Sequence, residues 1–343
     1  MIEIKPEIVV WEYTLKCNSK CLHCGSSAGH SRKNELTKEE DLDLVDQIKR
    51  IGFKKIILSG GEPTLKKDWI TVAEKIKEKE IDLGIISNGL AWNKNTVGAL
   101  VALEPFSIGF SVDGTKNLHD YMRGVPGSYN KIFNNISTLK EKNQVVCAIT
   151  SVNKLNLEQL SDIRTALVVY GIDAWQIQLA SPMGRMSKNK NLVLNEKEYY
   201  ELGKFVVETR EMLKQINIGA GDCIGYYGFL ERRLRDTEWQ GCHAGLKGLG
   251  IDSDGTVRGC LSMRSKKAVE GNIRTDSLEN IWKNTTKFKY NRDFNVNNLK
   301  GNCKGCEYGI QCKGGCQSQS LAFFDEFHKA PYCLSNYEKN GKE

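Results

Sequence analysis

From Ile8 to about Gln215 the chain alternates between short apolar runs and longer amphipathic stretches. The runs are Ile8–Tyr13, Lys55–Ser59, Asp82–Ser87, Phe106–Val112, Val145–Val152 and Trp175–Ala180. Their β-branched and aromatic content suits parallel strands covered on both faces. The stretches between them, Lys38–Ile51, Trp69–Lys79, Ser128–Glu141, Leu157–Tyr170 and Glu196–Lys214, read as helices, and Asn93–Leu103 is the weakest of the set. Leu42, Val45 and Ile48 recur at helical spacing, and Thr37 with Glu40 forms a capping box before them. Six strand–helix units are too few to close an eight-stranded barrel, so the pattern predicts an α/β fold, a partial (β/α)6 TIM-type barrel. In such folds the reactive groups sit at the carboxyl ends of the strands. Cys17, Gly60-Gly61-Glu62, Ser87-Asn88-Gly89 and Asp113-Gly114 all fall there.

After about Asn217 the alternation stops and glycine and cysteine rise. The expected organisation is a barrel over residues 1–216, a bridging segment over 217–241 and a small cysteine-rich domain over 242–343. Gly250–Cys260 reads as a hairpin with its turn at Ser253–Gly255, which brings Cys242 and Cys260 close together. Asp252 and Asp254 lack the other ligands of a calcium loop. No repeat of fixed period and no low-complexity tract is present.

Composition narrows the classes. The chain has 343 residues, 40% of them hydrophobic, enough for a sizeable core. No apolar run is long enough to span a bilayer, and the first sixteen residues already read as a strand rather than a signal peptide. A cytoplasmic protein is expected, with no membrane partner. The net charge of +7 is scattered rather than gathered into a patch, which argues against nucleic acid. Twelve cysteines in such a chain are better explained as metal ligands than as disulfides.

Cys17, Cys21 and Cys24 stand as C-x3-C-x2-C on one loop. Soft thiolates suit iron–sulfur chemistry, and three ligands leave one iron corner open, whereas a structural zinc site wants a closed shell of four. This spacing after a first strand resembles the radical S-adenosylmethionine superfamily. The resemblance implies that these cysteines hold a 4Fe–4S cluster whose open iron binds the amino and carboxylate groups of S-adenosylmethionine. It also implies that His23 lies near the adenine. Gly60-Gly61-Glu62-Pro63 resembles the family's GGEP motif, which receives the methionyl ammonium; read alone it is a glycine turn. Ser87-Asn88-Gly89 and Ser111-Val112-Asp113-Gly114 resemble the segments beside the methionine and ribose, and are otherwise ordinary strand-end turns. Arg123, in His119-Asp120-x-x-Arg123-Gly124, either holds the cofactor's carboxylate or pairs with Asp120.

The C-terminal spacing runs Cys242-x12-Gly255-x4-Cys260, a gap, Cys303-x2-Cys306-x5-Cys312-x3-Cys316, sixteen residues and Cys333. It resembles the seven-cysteine SPASM domain of part of the same superfamily, so the resemblance covers about Val9 to Cys333. It implies two auxiliary 4Fe–4S clusters: an outer one on Cys303, Cys306, Cys312 and Cys333, and an inner one on Cys242, Cys260 and Cys316. The inner set lacks a fourth member. Cys223 is a candidate for it, or a hydrogen-atom donor to a substrate radical, or a small buried side chain. Cys147, within a strand, is expected in the core.

What the resemblance implies is reductive cleavage of S-adenosylmethionine to a 5′-deoxyadenosyl radical, used to oxidise, cross-link or epimerise residues of a peptide or protein substrate. The alternatives are sulfatase maturation, tetrapyrrole side-chain modification or, in another class, a zinc-ribbon interaction protein. A flavodoxin or ferredoxin is the implied electron donor. Strand one starts almost at once, so a leader peptide would be read by a separate leader-binding protein or the barrel surface. Tyr226, Tyr227, Gln176, Gln178 and Arg185 are candidates to face the cavity.

Overall fold

The structure is a computed structural model that describes residues 3–341. The chain builds β1 (Ile8–Thr14), α1 (Lys38–Ile51), β2 (Lys55–Gly60), α2 (Trp69–Glu78), β3 (Asp82–Ser87), α3 (Lys94–Leu103) and β4 (Ser107–Ser111). It continues through α4 (Lys116–Arg123), α5 (Ser128–Lys140), β5 (Val146–Val152), α6 (Leu160–Val169), β6 (Ala174–Leu179), α7 (Glu196–Met212) and β7 (Asn217–Ala220). Strands β1 to β7 lie side by side in sequence order and are all parallel.

The helices begin and end where their caps dictate. Thr37 Oγ1 accepts from the Glu40 amide at 3.3 Å, and the Glu40 carboxylate accepts from the Thr37 amide at 2.8 Å. Gly52 ends α1 with φ 96°, a left-handed cap. Asn195 and Glu198 repeat the capping box at α7.

Alternation within the strands separates two faces. Val9, Trp11, Ile56, Leu58, Leu83, Phe110, Ala148, Trp175 and Ile177 are fully buried and share one core with Leu44, Ile48, Val72 and Ile76 of the helices. The other face carries Ser111, Cys147, Ile149, Ser151 and Gln178, all half-buried, with Gln176 exposed. That half-open concave face is the lumen of the partial barrel. Cys147 belongs to it, and not to the core in which the sequence placed it, because β5 alternates and the odd positions 147, 149 and 151 point away from the helices.

Beyond α8 (Glu231–Leu234) the chain forms β8 (Gly248–Ile251), β9 (Thr256–Arg258) and β10 (Val269–Asn272). The β8–β9 hairpin turns at the expected residues, with Gly255 at φ 83°. Pattern reading missed that β8 also pairs in parallel with β1, extending the sheet to ten strands. Short helices follow: α9 (Leu278–Lys283), α10 (Lys289–Arg292), α11 (Gly309–Cys312), α12 (Gln317–Phe324) and α13 (Leu334–Lys339). A second core forms here around Tyr226, Trp239, Cys242, Met263, Cys312, Cys316 and Leu321. Among the described residues no helix is long and apolar enough to cross a membrane.

Candidate active site and iron–sulfur centres

The first cysteine loop leaves β1 and closes on itself, since the Cys17 amide donates to Gly29 O at 2.9 Å and the Gly29 amide to Leu15 O at 3.0 Å. The end of α4 and the loop after β6 grip it. The Lys20 and Leu22 amides donate to the carbonyls of Arg123 and Met122, at the end of α4. From the loop after β6, Arg185 donates through Nε to Cys21 O at 2.7 Å and through Nη1 to Ala28 O at 2.6 Å. Gly184, at φ 55°, allows this approach, because a Cβ there would stand 2.4 Å from Cys24 O. Arg185 therefore clamps the loop backbone, a role sequence reasoning missed although the residue was marked at the correct rim.

The thiols have donors already aimed at them. Cys17 Sγ accepts from the Ser19 amide at 3.4 Å and from Asn88 Nδ2 at 3.5 Å. Cys24 Sγ accepts from the Ala28 amide at 3.4 Å. Burial pushes the Cys17 and Cys21 thiols up, against a lowering contribution from the Arg123 charge.

At the end of β2 the Gly61 amide donates to Thr14 O at 2.7 Å and the Glu62 amide to Lys16 O at 2.8 Å. The two glycines are steric necessities: Cβ atoms at Gly60 and Gly61 would lie 2.3 Å from Thr14 O and 2.2 Å from Lys16 O. Glu62 is fully buried. Its carboxylate accepts from Thr64 Oγ1 at 2.6 Å, the Asn88 amide at 2.7 Å and Ser87 Oγ at 2.9 Å. Among the described residues it makes no ion pair, and burial raises its carboxyl despite these bonds. Asn88 completes the link by donating to Asn18 Oδ1 at 2.8 Å and Ser19 Oγ at 3.2 Å.

Asp113, after β4, is buried and central. Its Oδ1 accepts from the Ser151 amide at 2.9 Å; its Oδ2 lies 3.1 Å from His23 Nε2 and 3.2 Å from Arg123 Nη1. Burial alone would raise this carboxyl, but the adjacent His23 ring and the Arg123 guanidinium outweigh burial and hold it well below the usual range. Arg123 therefore does not pair with Asp120, which instead caps α5 through the Gly127 and Tyr129 amides at 2.6 and 2.8 Å. Ser111 stands half-buried at the end of β4.

The later cysteines fall into two neighbourhoods. Cys312 has the thiols of Cys333, Cys303 and Cys306 around it. Cys242 neighbours Cys260, and Cys316 neighbours Cys242 and Cys223. Tyr226 and Tyr227 do not face the barrel lumen. Tyr226 is buried against Trp239, its ring centroid 5.1 Å away, and Tyr227 stacks on Tyr308 at 4.4 Å. No three or more of the described His, Cys, Asp or Glu side chains converge as ligands of a single metal ion. A cubane spreads its ligands instead, one thiolate to each iron.

A family model described as the radical SAM superfamily matches residues 11–167, and one described as an iron–sulfur cluster-binding domain, SPASM, matches residues 242–307. The chain belongs to the radical S-adenosylmethionine superfamily. This radical SAM enzyme is 27% identical over 351 residues to an AdoMet-dependent heme synthase of Methanosarcina barkeri, covering 96% of each chain. It is 25% identical over 317 residues to mycofactocin maturase MftC of Mycobacterium tuberculosis, covering 91% of this chain and 78% of that protein. The solved structure of Streptococcus suis SuiB bound to its precursor peptide SuiA superposes with a TM-score of 0.77 at 19% identity, over 96% of this chain and 76% of that one. At that identity the likeness speaks to the fold.

The cofactors of the radical SAM enzyme are S-adenosylmethionine, a 4Fe–4S cluster and two auxiliary 4Fe–4S clusters, and the SPASM match displaces the zinc-ribbon alternative. The residues present fit these groups. Three thiols share one braced loop. Among the described residues, two buried polar atoms beside them, His23 Nδ1 and Arg185 Nη2, have no partner, and the buried Glu62 carboxylate has no cation.

Proposed function

We propose that this enzyme modifies residues of a peptide or protein substrate bound in the open barrel. The observation that carries this reading is the lumen wall. Ser111, Ser151, Gln176 and Gln178 present neutral hydroxyl and amide groups, the chemistry that pairs with peptide N–H and C=O. Gln178 Nε2 donates to Ser151 Oγ at 3.0 Å, which orders the amide. The arginines nearby are already engaged: Arg123 with Asp113, Arg185 with loop carbonyls, and Arg32 and Arg264 with Glu12. MftC, named as a maturase, supports the peptide reading.

In this reading Cys17, Cys21 and Cys24 hold the radical-generating cluster. Cys303, Cys306, Cys312 and Cys333 hold the outer auxiliary cluster, and Cys242, Cys260 and Cys316 the inner one. When bound, cluster and S-adenosylmethionine supply a 5′-deoxyadenosyl radical able to take hydrogen from an unactivated C–H bond. The chain's own part is positioning. Glu62, buried and without a cation, complements the methionyl ammonium. Gly60 and Gly61 bring that carboxylate to the loop, and Ser87 and Asn88 fix it there. His23 and Arg123 both hold the Asp113 carboxylate beside the cysteine loop, where they would position the cofactor, and Ser111 faces the lumen, where a substrate would lie.

A second reading has its own support. The similarity to heme synthases over nearly the whole chain favours modification of a tetrapyrrole side chain. Reconstituted enzyme with S-adenosylmethionine and dithionite separates the two. The substrates to compare are a short peptide encoded beside the gene and an iron porphyrin bearing propionates. Change in the peptide alone, read by mass spectrometry and by solvent deuterium uptake, is the expected result. Turnover of the porphyrin alone overturns the peptide reading.

A further inference from the structure

We propose that Arg185 donates the N–H groups of its Nη2 to the sulfurs of the cluster held by Cys17, Cys21 and Cys24, and thereby raises that cluster's reduction potential. The inference rests on the assignment of those three cysteines to the radical-generating cluster.

The loop that Arg185 clamps also aims its guanidinium. Nε donates to Cys21 O at 2.7 Å and Nη1 to Ala28 O at 2.6 Å, while the Arg185 amide donates to Cys24 O at 2.9 Å. Each acceptor stands beside a thiol. Cys21 O and Cys24 O belong to the ligand residues themselves, and the Ala28 amide donates to Cys24 Sγ at 3.4 Å. A guanidinium is planar and rigid, so fixing Nε and Nη1 fixes Nη2 as well. Nη2 shares one edge of the group with Nε, so one of its N–H bonds runs alongside the bond to Cys21 O and faces the loop. Gly184, whose Cβ would meet Cys24 O at 2.4 Å, holds this whole segment against the loop backbone.

Of the three nitrogens, Nη2 alone lacks an acceptor: it is buried and, among the described residues, has no hydrogen-bond partner. Nor does any described carboxylate pair with Arg185, whereas Arg32, Arg123 and Arg264 each have one. A buried cation with N–H bonds to spare calls for an anionic acceptor. A 4Fe–4S cluster on three thiolates is such an anion, and its acceptors are sulfurs. The reduced cluster carries one more negative charge than the oxidised one, so a cation and N–H donors at its sulfurs favour reduction. Arg185 thereby favours the state that reductive cleavage of S-adenosylmethionine requires.

The test follows the EPR signal that responds to added S-adenosylmethionine, in the full chain with its clusters reconstituted. A potentiometric titration compares wild type, Arg185→Lys and Arg185→Gln. At a fixed solution potential the reduced-to-oxidised ratio is expected to be about tenfold lower in Arg185→Gln, a shift of about 59 mV for one electron, with Arg185→Lys between the two. A potential that is unchanged or higher in Arg185→Gln overturns the proposal. Since losing the clamp can also release iron, hyperfine spectroscopy of the same signal is recorded on protein carrying arginine labelled with heavy nitrogen. A weakly coupled arginine nitrogen is expected in the wild type and in Arg123→Lys. Its absence from the wild type, or its loss in Arg123→Lys, overturns the proposal. If the signal itself survives in Cys17→Ala, the underlying cluster assignment fails instead.

Discussion

Gly61 presses on the start of the cysteine loop, and an added Cβ would meet Lys16 O at 2.2 Å, closer than any real contact. Backbone lies on both sides, so neither can yield without moving the loop. Gly61→Ala is expected to cost on the order of 3 kcal/mol and to lower iron retained after anaerobic gel filtration. Wild-type iron content and melting temperature would contradict the account at this position. The cysteines, the glycine pair and Asp113 were legible because their chemistry is local and their spacing survives in the sequence. Arg185 was visible only as a charge near the right rim. Its partners, Cys21 O and Ala28 O, lie more than 150 residues away in the chain, and no local pattern announces a side chain that bonds to distant carbonyls. The pairing of Arg123 with Asp113 rather than Asp120 has the same origin: Asp120 is nearer in sequence, but the α5 N-terminus claims it.

Among the elements, the six expected strands and α1 are found within a residue or two of their sequence limits, because amphipathic period and capping agree there. Helix α4 was missed: eight residues with four charged or histidine side chains look like a loop. Yet α4 carries Met122 and Arg123, whose carbonyls brace the cysteine loop, and His119, whose Nδ1 accepts from the Asp113 amide at 3.2 Å. Burial, then the Arg123 charge, lowers His119 from 6.5 to about 4. A depressed histidine pKa means that the unfolded chain takes up the proton first. The stabilising contribution is therefore complete above about pH 6.5 and is lost as pH falls toward about 4. His119→Asn, which keeps an acceptor and removes the titration, is expected to melt with a shallower loss over that window. A melting-temperature difference between the two proteins that stays constant from pH 7 to pH 5 would contradict this.

Over the whole molecule, barrel and cysteine-rich region share a sheet through β1 and β8 and a charged network above it. Arg264, four residues after Cys260, donates to Glu12 at 2.9 Å, Asp252 at 3.0 Å and Ser26 Oγ at 2.7 Å. It thus ties the first cysteine loop to the auxiliary hairpin. Glu12 and Asp252 keep Arg32 and Arg258 as partners, so Arg264→Met is expected to cost about 2 kcal/mol and to loosen both cysteine regions together, seen as earlier loss of iron during thermal unfolding. Loss of neither stability nor iron would show the tie to be idle. The central claim is that Cys17, Cys21 and Cys24 hold a cluster with one iron left for S-adenosylmethionine. The most direct measurement is release of 5′-deoxyadenosine from S-adenosylmethionine by anaerobically reconstituted, dithionite-reduced enzyme. The account predicts release by the wild type and none when any of the three cysteines is alanine; undiminished release by all three variants would contradict it.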